Sequence, residues 1–211
     1  MSHVAAIVLA AGLSRRFGAG NKLTADADGQ PLVRRVVEQA LASRAAQIVV
    51  VTGHEPDAIA SALAGLPLRV VHNAHYRQGM GTSVAAGVAS LDANMAGALV
   101  LLGDMPDVDA VLLDRLMQGF AEAGADRIVM PVDTDGRQRN PVLWPRRLFA
   151  ALARLDGDKG GRDLIAAEGA SVVRLAVADA SAVSLDIDTP EALAAWRAGC
   201  RSDGGSPPAQ D

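Results

Sequence analysis

Short, unbroken apolar runs alternate along this chain with longer amphipathic stretches. Val4-Ala5-Ala6-Ile7-Val8-Leu9 is apolar throughout, the pattern of a buried strand. Similar runs predict strands over Ala5–Leu9, Ile48–Thr52, Arg69–His72, Ala98–Leu102 and Arg127–Pro131. Helices are predicted between them, over Leu32–Ser43, Pro56–Ala64, Thr82–Leu91 and Asp109–Ala123. Pro31 and Pro56 mark helix starts, where a missing N–H costs nothing. Strands alternating with helices of about ten residues imply right-handed βαβ units and a mostly parallel sheet.

Pro131 and Gly136 break that regularity. A turn at Asp133-Thr134-Asp135-Gly136 leads into a strand over Pro141–Trp144, expected to be antiparallel and on an edge. Arg147–Leu155 and Arg162–Glu168 read as shorter helices around a Gly-rich turn. Val172–Val177 and Val183–Ile187 read as two more strands, and Thr189-Pro190-Glu191 opens a last helix to Ala198. The polar Gly/Ser/Pro tail Arg201–Asp211 is expected to be disordered. The expected fold is therefore a single-domain, Rossmann-like three-layer α/β sandwich over residues 1–200, with a mostly parallel central sheet and an antiparallel edge.

Composition narrows the functional classes. Half of the 211 residues are apolar but only 3% are aromatic, so the core is built from Ala, Val and Leu, which suits close helix–sheet packing. A net charge of −4 argues against a nucleic-acid surface, and any anion site must be a local cluster of Arg and Lys. Cys200 is the single cysteine, which excludes an intramolecular disulfide and fits a reducing cytosol. No run approaches the roughly 18 apolar residues of a membrane span. The N-terminus lacks a basic segment followed by a hydrophobic signal core. The expectation is a cytoplasmic protein with neither a nucleic-acid nor a membrane partner.

The first predicted strand breaks into Ala10-Ala11-Gly12-Leu13-Ser14-Arg15-Arg16-Phe17-Gly18, and Lys22 follows. Small residues let a backbone approach an anion, and N–H groups in such a loop form a phosphate-sized concavity. Arg15, Arg16 and Lys22 add positive charge. A glycine-containing basic loop after the first strand of an α/β domain is where a nucleotide is expected, although a plain basic surface loop has the same composition. The spacing is neither that of a Walker A loop nor of a GxGxxG fingerprint.

Two later strings carry carboxylates. Val100-Leu101-Leu102-Gly103-Asp104-Met105-Pro106 delivers Asp104 at the C-terminal end of a strand, the sheet edge where such folds bind ligands. Asp104 is there either a hard ligand for Mg²⁺ bound to a triphosphate or the cap of the next helix. In Asp186-Ile187-Asp188-Thr189-Pro190-Glu191, Asp188 or Thr189 is placed to cap the last helix. Gln78-Gly79-Met80-Gly81-Thr82-Ser83-Val84 combines glycines with hydroxyls that either cap a helix or bond a base. His72, Asn73 and His75 lack metal-ligand spacing and read as loop residues. Arg137-Gln138-Arg139-Asn140-Pro141-Val142 and Gly157-Asp158-Lys159-Gly160-Gly161-Arg162 place cations beside Gly or Asn. Each is either a solvated turn or a seat for a second anionic group.

Taken in order, Leu-Ala-Ala-Gly-x-Ser-x-Arg-Phe-Gly with its lysine, Gly-Asp-Met-Pro and Asp-Ile-Asp-Thr-Pro-Glu resemble the nucleotidyltransferases of the molybdenum-cofactor type. The closest likeness is to the cytidylyltransferases that act on molybdopterin. It runs from Val4 to about Ala198. The resemblance implies that Leu9, Ala10, Ala11, Gly12, Ser14, Arg15, Lys22, Gly81, Ser83 and Asp104 hold the nucleotide. It also implies that Asp104 and Asp188 hold Mg²⁺, with Mn²⁺ as an alternative and Asp186 as a weaker candidate. Arg16, Lys22 and Asp104 become the catalytic set. Arg139, Asn140, Pro141, Asp158, Gly160 and Arg162 fall around the pterin acceptor. Leu-Ala-Ala-Gly, where guanylyltransferases more often show Leu-Ala-Gly-Gly, and Asp188, where they usually have Asn, point to CTP. Phe17 replaces a frequent Met without expected consequence.

The reaction so implied is transfer of CMP from CTP to the terminal phosphate of molybdenum-bearing molybdopterin. A recipient molybdoenzyme or its chaperone is the macromolecular partner such a reaction implies. The alternatives are a guanylyltransferase on molybdopterin, a nucleotidyltransferase on another small phosphorylated acceptor, and a non-catalytic nucleotide-binding or cofactor-delivery protein.

Overall fold

β1 (Val4–Ala10) is buried at every position because it lies between two parallel neighbours, β2 (Gln47–Thr52) and β4 (Gly97–Leu102). An uninterrupted apolar run is what such a strand requires. The computed structural model describes residues 3–18, 20–158, 160–177, 183 and 186–203. Outward from β2 lies the parallel strand β3 (Arg69–His72). Beyond β4 come β5 (Val129–Val132), β6 (Val142–Pro145) and β7 (Val173–Ala176). Among the described residues the sheet has seven strands in the order β3-β2-β1-β4-β6-β5-β7.

Helices cover both faces. α1 (Leu32–Ala42), α2 (Pro56–Ala62) and α4 (Ala110–Glu122) pack on the face bearing Val4, Ala6 and Val8. α3 (Met80–Ala89), α5 (Phe149–Leu152) and α6 (Arg162–Glu168) pack on the face bearing Ile7, Leu9, Val49 and Val51. The result is the three-layer α/β architecture expected. A third apolar cluster of Ala27, Leu32, Ile187, Leu193 and Trp196 docks α7 (Pro190–Asp203) beside α1. Among the described residues no helix is long and apolar enough to cross a membrane.

The antiparallel strand is β6, and its place is inside the sheet, between β4 and β5, where an edge position was anticipated. The prolines Pro141 and Pro145 suggest an edge because proline donates no ladder bond. Both stand at the ends of the strand, so Val142, Leu143 and Trp144 keep their N–H groups and are buried. The last helix also runs past Ala198, through Gly199, to Asp203, taking in the first residues of the expected tail; a lone glycine costs a helix only about 1 kcal/mol. Residues 204–211, and 184 and 185 of the strand expected over 183–187, lie outside the described residues; the described positions 183, 186 and 187 are not in a strand.

Candidate functional site

The loop after β1 is shaped by its own side chains. Ser14 adopts φ +50, and its hydroxyl accepts the N–H of Lys22 at 3.2 Å while donating to Asn21 Oδ1 at 3.3 Å. Asn21 is buried and caps the short 3₁₀ turn Lys22–Thr24 by accepting the N–H of Leu23 at 3.0 Å. These bonds curl the loop so that Arg16 and Lys22 reach the carboxyl end of β4. There the N–H of Gly103 extends the sheet ladder to the carbonyl of Leu9 at 3.0 Å, and Asp104 comes next.

Lys22 Nζ donates to both Asp104 and Asp188, the latter at 2.9 Å. Arg16 pairs with the other oxygen of Asp188 at 2.7 Å. The side chains of Lys22 and Asp104 are only 12% and 14% exposed. Burial pulls the pKa of Lys22 down, but the charges and hydrogen bonds of Asp104 and Asp188 outweigh it, so its ammonium is held above the ordinary lysine range. Asp186, though an exposed residue, is pushed up to about 6 by desolvation, with the charges of Asp104 and Asp188 adding and those of Lys22 and Arg139 opposing.

The donor set fits a divalent cation. Asp104 Oδ1 is buried and has no hydrogen-bond partner among the described residues, which is costly for a carboxylate oxygen unless a cation meets it. Among the described residues no group of three or more Asp, Glu, His or Cys forms an all-protein cage. Two carboxylates with phosphate oxygens completing the shell is the usual arrangement for Mg²⁺. Asp104 and Asp188 would hold it.

The cluster forms one wall of a cavity of about 460 Å³. Leu9, Ala11, Gly12, Ser14, Arg15, Arg16 and Lys22 line it, together with Ser83, Asp104, Asp158 and Asp188. Among the described residues no protein atom lies within 4 Å of where a Cβ at Gly12 would project, so the backbone there is open on that side.

Other predicted residues stand apart from the lining. Ala10 is fully buried in β1. Gly81 packs against a different backbone: its N–H donates to the carbonyl of Gly157 at 2.8 Å, and a Cβ there would meet the Asp156 carbonyl oxygen at 2.5 Å. Its glycine is thus demanded by the protein's own close approach. Arg139 is held by Asp133 at 2.8 Å, Asn140 and Pro141 form a cis peptide bond, Gly160 lies beside Met80, and Arg162 opens α6. None of these lines the cavity.

The far wall holds residues that sequence reasoning passed over. Tyr76 and Arg77 both line the cavity, with the Arg77 guanidinium 5.5 Å from the Tyr76 ring centre. Asn73, read as a loop residue, is buried and donates to both Thr82 and Ser83 at 2.8 and 3.0 Å. The tyrosine, isolated in an aromatic-poor chain and preceding a Gly-rich helix start, was the available signal; Asn73 had none.

The model of the MobA-like NTP transferase domain matches residues 6–173 of the chain. Bifunctional protein GlmU of Sorangium cellulosum is 32% identical over 172 residues, covering 78% of this chain and 36% of that protein. The chain spans about a third of the length of the GlmU relatives it matches. Nicotine blue oxidoreductase of Paenarthrobacter nicotinovorans is 26% identical, covering 90% of this chain and 94% of that one. Among solved structures, Rv0371c of Mycobacterium tuberculosis superposes with a TM-score of 0.81 at 27% identity, covering 93% of this chain and 98% of that one. Its complex with manganese gives 0.78 at 25% identity. The architecture is that of the nucleotide-diphospho-sugar transferase fold.

Proposed function

Because the chain belongs to the MobA-like NTP transferase family, we propose that it is a molybdopterin cytidylyltransferase. It moves CMP from CTP onto the terminal phosphate of molybdopterin and releases pyrophosphate. The observation that carries the reading is Lys22 held between Asp104 and Asp188 beside the cavity, with one Asp104 oxygen lacking a partner among the described residues.

An acceptor phosphate oxygen forms a bond to the α-phosphorus of CTP, and the bond from that phosphorus to the bridging oxygen of the β-phosphate breaks. The nucleophile is already anionic, so no covalent enzyme intermediate and no general base are required. The chain's task is alignment and charge neutralisation. The loop from Ala11 to Arg16 offers the triphosphate an open backbone at Gly12 and two guanidinium groups. Lys22 offsets charge gathering on the phosphates. A divalent cation held by Asp104 and Asp188 would supply further neutralisation. Mg²⁺ is the proposed ion, with Mn²⁺ as the alternative. The Leu-Ala-Ala-Gly loop and Asp188 support CTP over GTP.

A second reading has its own observation. Arg139, Asn140, Pro141, Gly160 and Arg162 do not line the cavity, so the acceptor assignment has less geometric support than the nucleotide assignment. The same transfer onto another small phosphorylated acceptor fits the nucleotide side equally well. Incubation with Mg²⁺, molybdopterin and CTP, GTP or ATP in turn, with the product identified by mass, tests both. A cytosine dinucleotide formed with CTP alone supports the proposal. A guanine dinucleotide overturns the base assignment, and no dinucleotide with any nucleotide overturns the acceptor.

A further inference from the structure

We infer that Asn73, which does not line the cavity, is a positioning residue that makes Ser83 a hydrogen-bond donor toward the nucleotide. The inference rests on the nucleotide reading of the cavity and adds a polarity to one point of its wall.

The orientation of the Asn73 amide follows from its partners. Its Oδ1 accepts the backbone N–H of His75 at 2.9 Å. A backbone N–H can only donate, so the atom facing it is the oxygen and the other end of the amide is the NH₂ group. That NH₂ has two protons, and they go to Thr82 Oγ1 at 2.8 Å and Ser83 Oγ at 3.0 Å. Asn73 is itself fixed, because its N–H donates to the carbonyl of Thr52 at 2.8 Å and it is only 4% exposed.

The two hydroxyls then part ways. Thr82 Oγ1 accepts from Asn73 and donates back to the carbonyls of Gly79, at 2.9 Å, and His75, at 3.1 Å. Its proton is spent within the protein. Ser83 Oγ also accepts from Asn73, but among the described residues its own proton has no acceptor in the protein. Ser83 is 4% exposed and lines the cavity. A buried hydroxyl whose lone pair is taken and whose proton is free presents a donor. The complementary ligand group is an acceptor: a ring nitrogen, a carbonyl oxygen of a base, or a ribose oxygen.

Direct binding of CTP and of GTP with Mg²⁺, without acceptor so that nothing turns over, tests this by calorimetry. Asn73→Asp replaces the NH₂ by an oxygen that accepts from Ser83 and so consumes its proton. It should weaken nucleotide binding about tenfold. Asn73→Ala, which adds no charge, should weaken it in the same sense by about fivefold and serves if Asn73→Asp does not fold. Ser83→Ala should lose a comparable factor, and the Asn73→Ala/Ser83→Ala double variant should bind no worse than Ser83→Ala alone. A merely structural asparagine would give losses that multiply. Unchanged affinity in a folded Asn73→Ala, or multiplying losses, overturns the inference while the nucleotide site stands. No binding of either nucleotide by the unaltered protein overturns both.

Discussion

The backbone N–H of Ile187 donates to the carbonyl oxygen of Asp104 at 3.0 Å. One bond thereby ties two segments more than eighty residues apart and sets Asp188 opposite Asp104. Ile187 is fully buried with Leu32, Leu193 and Trp196, so α7 acts as a clasp that holds the second carboxylate in place.

Trp196 is the strongest point of that clasp. Its indole N–H donates to Asp107 at 2.7 Å, and the Arg35 guanidinium lies 5.0 Å from its ring centre. Trp196→Ala should cost about 3 kcal/mol and lower turnover as well, because Asp188 loses its anchor. Trp196→Phe keeps the packing and loses one hydrogen bond, about 1 kcal/mol. Calorimetric unfolding and pyrophosphate release on both variants check this. Full turnover in a destabilised Trp196→Ala would separate α7 from the site.

Lys22→Ala removes the ammonium that joins Asp104 to Asp188. The expected loss in kcat is on the order of 10²-fold, the scale of a lost oxyanion donor. Single-turnover measurement at saturating nucleotide checks it, and retained activity contradicts the role assigned to Lys22.

Two glycines should respond in opposite ways. A Cβ at Gly161 would sit 2.2 Å from the Trp144 ring, so Gly161→Ala should cost about 2 kcal/mol or more through overpacking. A Cβ at Gly12 meets no atom of the described residues within 4 Å. Gly12→Ala should leave stability within about 0.5 kcal/mol and weaken nucleotide binding. Paired melting and binding curves distinguish the two, and equal loss of stability contradicts the open space assigned to Gly12.

Much of this arrangement was legible in the chain because its signals are local. The strand, small-residue turn and cations from Val4 to Lys22 are contiguous, and Asp104 follows its strand directly. The structure brings both around one cavity. What was not legible depends on contacts between distant segments. Nothing around Asn73 announces that it will brace Ser83. The glycine at position 81 looks like room for a ligand and is room for the Asp156 backbone. Pro141 and Pro145 mark β6 as a sheet border, while its pairing with both β4 and β5 is a matter of topology. Arg139 reads as part of a solvated turn or of a seat for an anionic group, yet Asp133 holds it.

That last pair has a pH signature. Desolvation acts to raise the carboxyl of Asp133, but the N–H of Arg137, the Arg139 guanidinium and the N–H of Asp135 outweigh it and hold it below its ordinary value of 3.8. A lowered carboxylate contributes stability that is present above 3.8 and is lost as pH falls below it. Asp133→Asn should therefore lower the melting temperature at neutral pH and flatten its decline on the acid side. An acid limb identical to that of the unaltered protein would contradict the pairing.

The most direct measurement is pyrophosphate release from CTP and molybdopterin as a function of Mg²⁺, by the unaltered protein and by Asp104→Ala. The account predicts release that requires a divalent cation and disappears in Asp104→Ala while that variant still folds. Release that persists after chelation, or turnover retained by Asp104→Ala, would contradict it.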